Sequence, residues 1–161
     1  MKNLILVRHA KSSWEFDVID HERPLTQRGV EDAHLVSKAL KKEGLEIDML
    51  VSSDAKRAKN TAEVFISNLN INQEIVTYNY DLYDFAGYNL LEFIKSSDDS
   101  INTLMVFGHN HAFTDFVNTY GDLNIDNVPT AGFVKIQFNI SHWRDLNKGK
   151  TVKTLFSRDL K

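Results

Sequence analysis

The chain has 161 residues, 42% of them hydrophobic and 25% charged, which is enough to bury a core without covalent staples and is read as one domain over residues 1–161. A formal net charge of -3 gives no overall basicity for nucleic acid or an anionic membrane, so any cationic cluster has to be local. The absence of cysteine excludes disulfides, thiol catalysis and thiolate metal sites.

The N-terminus, MKNLILVRHAKSSW, holds only four consecutive apolar residues before Arg8. That is too short for a signal peptide, and no later run approaches the roughly 18 residues of a membrane span. A cytoplasmic monomer is expected. Leu4–Val7 reads as a strand buried on both faces. It ends in Arg8 and His9, followed by Lys11, Ser12 and Ser13, a set of groups suited to binding an anion.

Thr26 to Glu43 has helical spacing, with Val30, Ala33, Val36 and Leu40 on one face and Gly44 as the stop. Ile47–Val51 is a second strand, ending in Ser52, Ser53 and Asp54. The helix after it carries Ala58, Ala62, Phe65 and Leu69 inward, with Ser53 or Asp54 as its cap. Glu74–Tyr78 is a third strand, and Asn89–Ser97 a short helix with Leu90, Leu91 and Ile94 inward. Thr103–Phe107 is a fourth strand, running into Gly108, His109 and Asn110. A helix over Ala112–Tyr120 and a strand over Gly132–Phe138 follow. The C-terminal run from Thr154 to Lys161 reads as a docked tail. This alternation predicts an α/β three-layer sandwich, a mainly parallel sheet with helices on both faces.

Ligands of such sheets sit at the carboxyl ends of the strands. If the strands are parallel, Arg8 with His9, Ser52 with Ser53 and Arg57, and Gly108 with His109 share one edge. Two guanidiniums make a permanent clamp for phosphate. Arg57, in the first turn of its helix, adds the positive end of the helix dipole. His9 lies among cations, which lowers its pKa and leaves a neutral, nucleophilic imidazole. Attack on phosphorus would give a phosphohistidine, with the arginines and His109 spreading the transition-state charge and no metal or cofactor required.

The motifs resemble those of the histidine phosphatase superfamily, also called phosphoglycerate mutase-like, whose first strand ends in Arg-His-Gly or Arg-His-Ala. The matching runs are Leu4 to Ala10, Arg23-Pro24-Leu25-Thr26-Gln27-Arg28-Gly29, Val51 to Ala58 with Thr61, Phe107-Gly108-His109-Asn110, and Val128 to Phe133. They fall in the family's order across nearly the whole chain, and the small size is similar to the SixA-type phosphohistidine phosphatase subgroup. The resemblance implies a phosphoglycerate mutase-like fold and one histidine phosphatase domain. It implies His9 as the phosphorylated nucleophile and Arg8, Arg57 and His109 as the rest of the phosphate pocket, with Ser12 and Asn110 as secondary contributors.

The departures concern the pocket wall and the acid. Trp14 and Glu15 stand where mutase-like members often carry a phosphate-touching asparagine, and Glu15 is expected to point away from an anion. His111 follows Asn110, where other members have a small residue or proline. Candidates for the general acid are Asp81 and Asp84, each of which could instead cap the following turn. The chain has no room for a lid beyond residues 80–89 and 121–130. That favours a phosphorylated side chain on a partner protein over a small phosphorylated metabolite, with Lys11, Lys56 and Lys59 near the rim. Three other readings compete: a general phosphomonoesterase of the same fold, a His109/His111 metal pair with Asp115, and a phosphoprotein-binding module without turnover.

Overall fold

The computed structural model describes residues 1–161. Its centre is a six-stranded sheet: β1 (Lys2–Arg8), β2 (Met49–Ser53), β3 (Val76–Asn79), β4 (Thr103–Gly108), β5 (Phe133–Phe138) and β6 (Lys150–Leu155). The strand order is β3-β2-β4-β1-β5-β6. The first four strands are mutually parallel, while β5 runs antiparallel to β1, and β6 to β5. Four helices connect them: α1 (Gln27–Leu40), α2 (Lys56–Leu69), α3 (Tyr88–Lys95) and α4 (Ala112–Tyr120).

The first strand is buried on both faces, as its unbroken aliphatic run requires. Successive side chains point to opposite sides of a strand. Leu4 and Leu6 accordingly join Leu90, Ile94, Phe113 and Phe116 of α3 and α4 in one core. Ile5 and Val7 join Ala33, Val36, Ala62 and Phe65 of α1 and α2 in the other. The Phe65 and Phe107 rings meet edge to face at 5.2 Å. This is the expected three-layer α/β arrangement, with a phosphoglycerate mutase-like architecture.

Several local expectations are corrected. Val30 is exposed rather than inward; the buried stripe of α1 runs through Gly29, Ala33, Val36, Ser37 and Leu40. The helix is capped by Thr26, whose hydroxyl accepts from the Gly29 N–H at 2.9 Å, and a 3-10 turn over Lys41–Glu43 follows it and stops at Gly44, φ 61°. Neither Ser53 nor Asp54 caps α2, whose N-cap is Ala55. Both are used elsewhere, Ser53 Oγ on His109 and Asp54 on His21. The C-terminal run docks on α1, where Lys161 Nζ lies 3.0 Å from Asp32 Oδ1, but it starts within an edge strand, β6, that the sequence reading did not place. The strand's KTVKTL sequence is half-exposed and carries Lys150 and Lys153, devices that suit an edge strand.

The register fixes the edge that matters. Arg8 pairs with Gly108 across β1 and β4, and Ser52 with Phe107 across β2 and β4. The carboxyl ends of these three strands therefore open at one place.

Candidate active site

His9 leaves the end of β1 with its backbone N–H bonded to the Gly108 carbonyl at 3.0 Å. The next residue, Ala10, donates to Thr61 Oγ1 at 2.9 Å, and that hydroxyl donates to the Arg57 carbonyl at 2.8 Å. Buried Thr61 thus joins the loop after β1 to the first turn of α2. Gly29 makes room for the same loop, because a Cβ there would lie 2.2 Å from the Lys11 carbonyl oxygen. This close approach accounts for the glycine at the end of the Arg-Pro-Leu-Thr-Gln-Arg-Gly run.

A cavity of about 390 Å³ opens above these elements. Arg8, His9, Lys11, Ser12, Arg23 and Arg57 line it, with Asp20, Thr130, Trp14 and Phe85 completing the wall. Five of the ten are cationic or imidazole side chains, against one carboxylate. Glu15 is exposed and takes no part in the wall. Of the rim lysines only Lys11 lines the cavity; Lys59 lies 5.0 Å over the Tyr78 ring.

The protonation geometry of His9 follows from one contact. Its Nδ1 lies 2.7 Å from the Ala10 carbonyl oxygen, which can only accept, so Nδ1 carries the proton and Nε2 keeps a lone pair. Burial, reinforced by the charges of Arg57, Arg8 and Arg23, pushes the His9 pKa down to about 3 against the opposing Ala10 hydrogen bond. The ring is therefore neutral at pH 7. Burial and Arg57 also lower the Arg8 pKa. One Arg8 Nη donates to the Val128 carbonyl at 2.9 Å, which fixes the guanidinium against the wall.

His109 stands behind the cavity rather than in its wall. It is 1% exposed, and its ring centroid is 5.3 Å from that of His9. Tyr83 and Phe85 cover it edge-on, at 5.3 and 5.1 Å. Its Nε2 shares a 2.8 Å hydrogen bond with Ser53 Oγ, and burial, then His9 and Arg57, push its pKa down to about 2. Asn110 also lies outside the cavity. Its Oδ1 accepts from the Thr114 N–H at 3.0 Å and the Thr114 hydroxyl at 2.8 Å, while its Nδ2 donates to Asn127 Oδ1 at 2.8 Å. It ties α4 to the segment before β5.

Neither sequence candidate for the acid reaches the cavity. Asp84 accepts backbone N–H groups from Ala86 (3.1 Å), Gly87 (3.1 Å) and Leu90 (3.0 Å), so its carboxylate caps α3. Asp81 is exposed and is not part of the wall. His111 and Asp115 are exposed while His109 is buried, and the three do not form a metal-holding cluster.

The carboxylate that does line the cavity is Asp20, in a short 3-10 turn over Asp20–Glu22. Its Oδ2 accepts from Arg57 Nη2 at 2.9 Å and from the Tyr83 hydroxyl, and its Oδ1 accepts from Arg23 Nε at 3.1 Å. Burial pushes its pKa up, but the hydrogen bonds from Tyr83 and Arg57 outweigh this and hold it at about 2. Sequence reading missed Asp20 because it lies in an irregular loop. The available signal was its place three residues before Arg23, where an Asp–Arg pair closes one turn.

Three comparisons bear on this site. Residues 4–80 match the family model for the histidine phosphatase superfamily (branch 1). An uncharacterised protein of Mycobacterium tuberculosis is 27% identical over 153 residues, covering 89% of this chain and 93% of the relative. A 2,3-bisphosphoglycerate-dependent phosphoglycerate mutase of Allorhizobium ampelinum is 36% identical over 69 residues, covering 41% of this chain and 33% of the enzyme. The solved structure of the protein histidine phosphatase SixA complexed with tungstate superposes with a TM-score of 0.83 at 18% identity, covering 99% of each chain. That likeness is one of fold.

Proposed function

We propose, from this chain's membership of the histidine phosphatase superfamily, that it is a metal-independent phosphatase that takes the phosphoryl group from a phosphohistidine on a partner protein. His9 Nε2 attacks phosphorus along the line opposite the leaving nitrogen. A new Nε2–P bond forms as the substrate's P–N bond breaks, and the substrate imidazole, protonated on its other ring nitrogen, departs with the electron pair as the neutral base. Arg8, Arg57, Arg23 and Lys11 face the charge on the phosphoryl oxygens. Water then attacks the phosphorylated His9; the Nε2–P bond breaks, inorganic phosphate leaves, and the surplus proton passes to solvent.

The observation that carries the P–N reading is the state of the cavity's one carboxylate. Asp20 is held ionised with a pKa of about 2, so the wall offers no carboxylic acid to protonate an alkoxide. A substrate imidazole protonated on its other ring nitrogen leaves as the neutral base and needs no such donor, and transfer of its phosphoryl group to His9 exchanges one P–N bond for another. The mouth of the cavity supports a protein-borne phosphoryl group. Trp14, 78% exposed, stacks on Arg23 at 3.5 Å, and exposed Phe85 stands across from it. Phe16 and Ile19, in the loop between Trp14 and Asp20, are exposed as well.

The test is phosphate release in excess EDTA from a phosphohistidine peptide, p-nitrophenyl phosphate and glycerol phosphate. The expected order is peptide, then aryl ester, with the alkyl ester slowest. His9→Asn should release nothing, and rapid quenching of the wild type should trap phosphate on His9. An alkyl ester turned over as fast as the peptide would overturn the P–N assignment in favour of a general phosphomonoesterase. Phosphopeptide binding without release would leave a recognition module.

A further inference from the structure

We propose that Asp20 is a built-in counter-anion, occupying the phosphate-binding donors of Arg57 until a phosphoryl group displaces its carboxylate, and that it thereby sets how tightly the site holds phosphate. This deepens the reading above and rests on it, because it takes the cationic cavity to be the phosphoryl site.

The contacts divide Arg57 into a fixed end and an exchangeable end. Nη1 donates to the Asp20 main-chain carbonyl at 2.7 Å, whereas Nη2 donates to the Asp20 carboxylate at 2.9 Å. Rotation of the Asp20 side chain frees Nη2 without releasing Nη1, so the guanidinium keeps its aim. The turn that carries Asp20 is anchored independently of the carboxylate. His21 Nε2 lies 2.7 Å from Asp54 Oδ1, and the Arg23 N–H donates to the Asp20 carbonyl at 3.1 Å. The carboxylate has somewhere to go, since the Asp20 side chain is 42% exposed while that of Arg57 is 3% exposed.

The chemistry of the donors points to exchange with an oxyanion. A carboxylate and a phosphate present the same acceptors to a guanidinium. Both cannot take the Nη2 N–H that Asp20 now holds, and two anions a few ångströms apart repel. Arg23 and Tyr83 hold the same carboxylate, so the displaced state still has partners for it. An Asp20 that competes with substrate also competes with product. It therefore weakens retention of inorganic phosphate, the step that frees the site after His9 is dephosphorylated.

The competing idea is that Asp20 only positions Arg57, and the two ideas predict opposite signs. Isothermal titration of the full chain with inorganic phosphate and with tungstate measures Kd directly, without turnover. Asp20→Asn, which keeps the side-chain shape and the backbone carbonyl but removes the charge, is expected to tighten both anions at least tenfold. Phosphate inhibition of the peptide reaction should move to correspondingly lower concentration. Tyr83→Phe, which removes one tether while keeping the charge, should tighten binding by less. Asp20→Glu should stay near wild type. Unchanged or weaker binding by a folded Asp20→Asn variant would overturn the proposal in favour of positioning. Retained wild-type turnover in that case would leave the phosphatase reading intact. Failure of both wild type and Asp20→Asn to bind either anion would remove the phosphoryl site, and the counter-anion with it.

Discussion

Substitution of Asp84 separates a structural carboxylate from a catalytic one. Its three accepted N–H bonds satisfy one otherwise unpartnered donor in the first turn of α3, Leu90, and the two residues that lead into the helix, Ala86 and Gly87. Loss of an N-terminal cap costs about 0.5–2 kcal/mol, and three donors on one charged group put Asp84→Ala near the upper end, about 2 kcal/mol. For a chain of this size that is a fall in Tm of about 4–8 °C. Asp84→Asn keeps an acceptor oxygen and should lose about 0.5 kcal/mol. Differential scanning calorimetry and phosphate release on the same preparations test both quantities. The expected pattern is an unfolding shift with kcat/KM on the phosphohistidine peptide within about threefold of wild type. A general acid would show the reverse, a loss of about 10²–10⁴ in kcat with Tm unmoved in Asp84→Asn. That result would refute the capping argument.

Three further outcomes are expected. His9 and His109 are held neutral in the folded state, at about 3 and about 2, against about 6.5 when unfolded. Below pH 6.5 the unfolded chain binds more protons, so stability falls as pH falls. The two together lose on the order of 5 kcal/mol between pH 8 and 4.5. His21, whose pKa is raised by Asp54, offsets a part of this, while Asp20 contributes its loss only as pH falls through about 2. Urea titrations across that range check the slope, and His109→Gln should remove close to half of it; a flat profile would contradict the burial argument. Gly29→Ala drives a Cβ into the Lys11 carbonyl, so it should cost about 3 kcal/mol and raise KM, because Lys11 and Ser12 leave the cavity wall. Turnover of the phosphohistidine peptide should be unchanged within twofold after dialysis against EDTA, since the charges facing phosphate are guanidiniums and ammonium. A tenfold loss restored by a divalent cation would show that a metal takes part.

How much of this was legible depended on whether a residue's place is set by regular structure. Arg8, His9, Ser53 and Arg57 follow from strand ends and a helix start, and hydrophobic periodicity locates those within a residue or two. The β6 edge was not legible, because alternating Lys and Thr carry little apolar signal. The depth of His109 also escaped, since one strand end places a side chain near a site without saying whether aromatic rings will close over it. Asn110 was read toward chemistry and Asp84 as either a general acid or a cap of the following turn, and their short polar side chains satisfy backbone donors or side-chain hydroxyls. Asp20 is the reverse case. Nothing in the residues from Trp14 to Ile19 has a period, and only the tertiary pairing with Arg57 brings its carboxylate into the wall.

That pairing also explains how so cationic a site can exist in the resting protein. Arg57 is 2% exposed, and a buried guanidinium without a counter-charge is strongly destabilising, by several kcal/mol. Asp20 supplies the counter-charge from a turn in the cavity wall instead of from the core. A carboxylate built into a neighbouring strand would stabilise Arg57 as well, but phosphate could not dislodge it. Placed on an exposed turn, with its own backbone carbonyl holding the other guanidinium nitrogen, it can move aside while Arg57 stays. The same physics links stability to affinity at this position. Asp20→Asn should lower the Tm of the phosphate-free protein, and added phosphate should restore more of that loss in the variant than it adds to the wild type.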